Sequence, residues 1–205
     1  ISLEAIQNLP AKPFQVALGG GEPANWKYLH QFLNGLAEMN IDATMTVGPG
    51  LDTDKEFSLL DVLCRKDVLK AVGISFVPGM DEDKFLTVAG YVPSRGYAHL
   101  VLFREALPEL AKRFDERWWP DSLGGVVLLL PKPVGRGEGL VPPTMHEIRA
   151  FVGEYVRPWA EWHGGTRTVA VDPCLGVALP ELPTFLLAGC DGGQYSMYWN
   201  AVAGT

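Results

Sequence analysis

Apolar residues recur with two periods along this chain, and the two take turns. Between Ala24 and Met39, the residues Trp26, Leu29, Phe32, Leu33 and Leu36 fall three and four apart. That spacing predicts a helix with one buried face. Asn40 then supplies a helix stop, and Ile41, Ala43, Met45 and Val47 alternate as a strand does. The exchange repeats. Leu59 to Val68 has helical spacing, and Val72 to Val77 reads as a strand. Asp81 or Asp83 starts a short helix toward Val88, and Tyr97 to Phe103 is the next strand. Ala106 to Trp118 is a helix that tolerates Pro108 in its first turn, and Val126 to Leu130 is a strand. Thr144 caps a helix reaching about Trp159, with Glu147 placed for a capping box. Thr166 to Val171 closes the series as a strand.

The ends are less regular. Leu3, Ile6 and Leu9 suit a short helix capped by Ser2 and closed by Pro10. Phe14 to Leu18 is an apolar run with β-branched Val16, consistent with a buried strand. The tail is rich in glycine and aromatic residues and suits a hairpin. Alternating strand and helix predicts an α/β fold with a parallel sheet and helices outside it. A curved, partly closed barrel and a flat doubly wound sheet both fit this pattern. The Pro133–Pro143 stretch is the best linker, dividing the chain into a core over residues 1–143 and a C-terminal part over 144–205.

Candidate chemistry collects where strands end. Phe14 to Leu18 runs into Gly19-Gly20-Gly21-Glu22-Pro23. Glycines there permit positive φ and let a ligand approach the backbone. Glu22 adds a negative charge at the C-terminal mouth of a strand, where α/β folds bind ligands, and Pro23 suits a first helical turn. Such a carboxylate can grip an ammonium group or serve only as a helix-start charge. Thr46 and Ser75 stand near the ends of two further strands; a serine there can contact a ligand or simply cap a loop.

Composition removes several classes of function. The net charge is −7, with lysine and arginine scattered, which argues against a nucleic-acid surface and against an anionic membrane face. No apolar run reaches membrane-spanning length. Three cysteines, an odd number, argue against a secreted disulfide framework and favour a reducing cytoplasm. Cys64 lies on a helical apolar series and reads as core. Cys174 and Cys190 sit in glycine-rich loops, as cluster ligands or as small loop hydrophobes. His30 and His99 read as surface or packed groups, and His146 and His163 lack partners at metal spacing. Trp118, Trp119, Trp159 and Trp162 read as packing contacts. Lys132 and Arg136 could hold a substrate carboxylate or belong to a solvated loop, the reading favoured here. Oligomeric state is not encoded in any of these features.

Gly20-Gly21-Glu22-Pro23 after an apolar strand resembles the second-strand motif of radical S-adenosylmethionine (SAM) enzymes. Thr44-Met45-Thr46-Val47-Gly48 is similar to that family's third-strand segment, although Val47 stands where an asparagine is common. Val72-Gly73-Ile74-Ser75 resembles the fourth strand, and Lys132 to Gly137 the segment after the sixth. The resemblance implies a partial parallel (β/α) barrel lacking its first strand, with a short C-terminal extension. It implies SAM and a [4Fe–4S] cluster as cofactors of the intact parent. It also implies cleavage of SAM to a 5′-deoxyadenosyl radical that abstracts a substrate hydrogen. Cofactor-binding residues would be Gly20, Gly21, Glu22, Pro23, Thr46 and Ser75, with Glu22 on the amino group of SAM and Ser75 on its polar head.

The family's Cys-x3-Cys-x2-Cys motif is absent from this sequence. The expectation is therefore a fragment or degenerate relative, inactive in isolation. Cys190 followed by Gly204 resembles the opening of a SPASM-type extension, which would make Cys174 and Cys190 metal ligands and a small molecule or peptide the substrate. The alternatives are a non-catalytic ligand-binding module and a nucleotide-binding α/β enzyme. Glu22 would repel a phosphate in the latter.

Overall fold

The computed structural model describes residues 3–20, 22–48, 51, 54–131, 137–172 and 175, without the side chains of 54–58. Within them six strands form one sheet: β1 (Gln15–Leu18), β2 (Asp42–Val47), β3 (Leu69–Phe76), β4 (Gly96–Val101), β5 (Gly125–Leu129) and β6 (Thr168–Val171). All five pairings are parallel, and spatial order equals chain order. The helices are α1 (Leu3–Gln7), α2 (Leu29–Glu38), α3 (Asp54–Arg65), α4 (Glu82–Tyr91), α5 (Leu107–Asp115), α6 (Met145–Phe151) and α7 (Arg157–Trp162). β1 and β6 do not pair, so the sheet is an open, partial barrel. It curls enough for Thr44 of β2 and Thr168 of β6 to line one cavity. This is the α/β partial barrel expected, and the flat alternative is set aside by that shared cavity.

The return from helix to strand uses one device four times. After α2, the N–H of Asn40 donates to Ala37 O and that of Ile41 to Leu36 O, with Asn40 at φ 57°. The same pair of bonds follows α3 with Asp67 at φ 59°, α5 with Arg117 at φ 53° and α7 with Gly164 at φ 60°. Each left-handed residue satisfies the last carbonyls, and after α2, α3 and α5 it swings an apolar residue, Ile41, Val68 or Trp118, toward the core. At the other ends Asp81 caps α4 through Lys84 N, and Thr144 and Glu147 form a complete capping box on α6.

Three elements differ from the pattern reading. The helix expected from Ala24 starts only at Leu29, because Glu22 and Pro23 open a separate 3-10 turn, Pro23–Asn25. Trp26 therefore leaves the buried face; it is 38% exposed and packs against Phe32 with ring centroids 5.3 Å apart. β3 begins at Leu69 rather than Val72, and a register shift between Ala43 and Thr44 absorbs the extra residues. The helix from Thr144 widens into a π-turn over Val152–Val156 before α7. Pro158 explains it: the ring lacks an N–H and crowds the carbonyl four residues back, so a wider turn lets Arg157 N reach Val152 O.

The core lies between the sheet's outer face and the helices. Ala43, Met45 and Val47 of β2, Val72, Ile74 and Phe76 of β3, Ala98 and Leu100 of β4, and Val126 and Leu128 of β5 are all buried there. Phe76, Phe85, Phe114, Trp119, Phe151 and Trp159 extend it as an aromatic chain, mostly edge to face. Cys64 is buried and unbonded, and burial pushes its thiol up to about 11. Trp162, like Trp26, is exposed, and it carries the Arg117 guanidinium over its ring at 4.2 Å. Among the described residues no helix is long and apolar enough to cross a membrane.

Candidate functional site

Strand alternation puts a different set of residues on the inner face. The register aligns Thr46, Gly73, Tyr97, Gly125 and Thr168 as one rung across β2 to β6. Ser75, His99, Val127 and Ala170 form the next rung toward the C-terminal ends. In a closed parallel barrel, large branched side chains fill such layers. Here Gly73, Gly125 and Ala170 are small, Thr46, Ser75, Tyr97 and Thr168 carry hydroxyls, and an open cavity of about 310 Å3 remains. Thr44, Thr46, Tyr97, His99 and Thr168 contribute its polar groups, and among the described residues that line it there is no aspartate, glutamate, lysine or arginine.

Above this floor, at the strand ends, Glu22 closes a bridge. β1 stops at Leu18, and Gly20 turns the chain at φ 84°. A Cβ built on Gly19 or Gly20 would meet nothing within 4 Å, so these glycines border open space. The Glu22 carboxylate then reaches across to β2. Its Oε2 accepts from Gly48 N at 2.8 Å, and its Oε1 accepts from Ala24 N at 3.4 Å. The side chain thus caps the 3-10 turn and ties the ends of β1 and β2 together. These two bonds fix the orientation of the carboxylate at the rim.

The structure brings Gly20, Glu22 and Pro23 to the end of β1, and Thr46 and Ser75 to the inner face of β2 and β3. Thr46 lines the cavity. Gly21, Cys174 and Cys190 lie outside the described residues, as do Lys132, Arg136 and the expected C-terminal hairpin. Among the described residues no group of three histidines, cysteines or acidic residues is placed to hold a metal.

His99 is the residue that pattern reading passed over. Its ring lies flat against Gly73: a Cβ built on Gly73 would sit 2.7 Å from Nδ1 and closer still to Cε1 and Nε2. Burial lowers the imidazole's pKa from its ordinary 6.5 and favours the neutral ring. The available signal was Gly73 itself, since a glycine inside a strand marks a close approach by another group.

No protein-family model matches the chain, and no curated protein matches its sequence. Solved structures do share its fold. SuiB of Streptococcus suis bound to S-adenosylmethionine superposes with a TM-score of 0.60 at 18% identity, over 82% of this chain and 42% of that one. SuiB bound to its precursor peptide SuiA gives 0.60 at 18% identity, over 86% and 44%. Native anSMEcpe with bound AdoMet and Cp18Cys peptide gives 0.51 at 16% identity, over 83% and 53%. The chain spans less than half the length of the SuiB chains. At these identities the likeness establishes the fold: the chain has the partial parallel barrel of the radical SAM type.

Proposed function

We propose that this barrel is the SAM-binding core of a radical SAM enzyme acting on a peptide or small-molecule substrate. One observation carries the reading. The Gly-Gly-Glu-Pro turn sits at a C-terminal strand end of a barrel shared with a SAM-bound protein, and its carboxylate is held at the rim between β1 and β2.

The roles follow from the geometry. Gly20 leaves space for a ligand to approach the backbone, and Gly21 would extend that approach. Glu22 would receive the amino group of SAM, with the Gly48 and Ala24 N–H groups fixing the carboxylate's orientation. Pro23 stiffens the turn that carries it. Ser75 and Thr46, on neighbouring strands, would offer hydroxyls to the polar parts of the ligand. With one electron from a reduced [4Fe–4S] cluster of the intact parent, SAM would supply the radical chemistry of hydrogen abstraction, and this chain's share would be to bind, orient and shield. The described residues hold no ligand set for an iron–sulfur cluster, so the proposal for this chain is SAM binding rather than turnover. The two peptide-bound structures that share the fold support a peptide as the second ligand.

Calorimetry with SAM tests this on the full-length protein. Glu22→Gln removes the charge and keeps an acceptor for Gly48 N; Glu22→Ala removes both. Each should weaken SAM binding about tenfold or more, the loss expected for a charge-assisted hydrogen bond. Glu22→Gln should leave Tm close to wild type. Equal SAM affinity in all three proteins would remove Glu22 from the site, and no SAM binding by the wild-type protein would overturn the reading.

A further inference from the structure

We propose that the inner wall around His99 binds an uncharged group that both donates and accepts hydrogen bonds, and that this group is an amide of the second ligand. This deepens the reading above by naming the chemistry taken up below the rim.

Three observations carry it. First, the cavity exists because the inner positions are small. Ala71, Gly73 and Ala170 leave a space that larger residues fill in closed barrels. Second, the polar groups around it are all neutral and two-way. The hydroxyls of Thr46, Tyr97 and Thr168 each donate and accept, and a neutral imidazole has one donor and one acceptor nitrogen. None of the described lining residues is charged, so a charged ligand group beside them would lose its hydration without a counter-charge in return. An amide has the matching pair, a C=O that accepts and an N–H that donates. Third, His99 is held in place by packing. Its ring occupies the space above Gly73 where any other residue would put a side chain. It makes no hydrogen bond to another described residue, so its polar edge is left to the cavity it lines.

The site lies below the Glu22 rim and adjoins it at Thr46. The lining starts with Thr44, Ala71, Tyr97 and Thr168 in the lower part of the strands and does not include Glu22 or Ser75. The rim therefore suits a cationic ligand and the floor a neutral one, stacked along the barrel axis.

The experiment uses three probes of one size on the full-length protein: benzamide, benzoate and benzylammonium. Binding is read from the ring 15N resonances of His99 in histidine-labelled protein. Benzamide should shift them saturably, and the two charged probes should bind about tenfold or more weakly. In the variants, which lack those resonances, binding is read by calorimetry: His99→Phe should abolish benzamide binding, while His99→Gln, which keeps a donor and an acceptor, should retain part of it. Equal response to all three probes, no response of His99, or unchanged binding in His99→Phe would overturn the proposal. If neither variant folds, the comparison of the three probes on wild-type protein still decides. Benzamide binding by a protein that does not bind SAM would uphold this site and remove the SAM reading. SAM binding with a silent His99 would do the reverse.

Discussion

The two faces of the sheet are made from the same strands, yet they are built for different ends. On the outer face Met45, Val72, Ile74, Leu100 and Leu128 are almost fully buried against helices. On the inner face Thr44, Thr46, Ser75, Tyr97 and His99 are only half-buried and line or border a cavity. Alternate residues of β2 read Ala43, Met45, Val47 on one side and Thr44, Thr46 on the other. Stability is concentrated on one parity and recognition on the other. A parallel barrel lets the two evolve apart, because a side chain cannot change face without a slip in register.

The sharpest way to break this contrast is to truncate one residue on each face. Leu100→Ala should cost about 2–5 kcal/mol of stability by chemical denaturation, the range for a buried leucine that leaves a cavity. Thr46→Ala, on the open side, should cost less than about 1 kcal/mol. Comparable losses would mean that the inner face is also core.

A smaller effect tests whether His99 and Gly73 act as a pair. Gly73→Ala places a methyl group inside the imidazole's envelope and should cost about 1–3 kcal/mol. In a His99→Ala background the same change should become neutral or slightly stabilising, because alanine restricts the unfolded chain more than glycine does. The double-mutant cycle would then show strong non-additivity. Additive losses would separate the two residues.

The smallest effect is in pH. Burial lowers the pKa of His99, so the unfolded chain binds the proton more readily than the folded one. Above its ordinary value of about 6.5 both states are neutral there and the residue adds no slope. As pH falls below 6.5, toward the folded-state value, stability should fall. His99→Gln should flatten part of that slope. His163, also lowered by burial and by Arg167, contributes in the same direction and accounts for a remainder. An unchanged slope in His99→Gln would show that the imidazole is not shielded inside the cavity.

Most of the fold could be read from the chain because its signals are local. Two-residue and three-to-four-residue periods alternate, and Asn40, Asp81 and Thr144 punctuate them as their side chains dictate. The departures have equally local causes. Pro23 and Pro158 altered the helices they belong to, and neither a 3-10 start nor a π-turn leaves a periodic trace. The glycine turn, Glu22, Thr46 and Ser75 were legible as strand-end residues. Two things were not. The bond from Gly48 to Glu22 joins residues 26 apart in sequence, and spacing says nothing about such a partner. The pairing of His99 with Gly73 depends on the register between β3 and β4, which no single strand encodes.

Spatial order matching chain order bears on how the molecule is made. Each new strand finds its partner in the one just synthesised, and no slot has to be kept open for a later segment. Contacts close over roughly one βα unit at a time, which favours stepwise growth during translation. The growing edge moves by one strand at a time, and the following helix and strand cover it in turn.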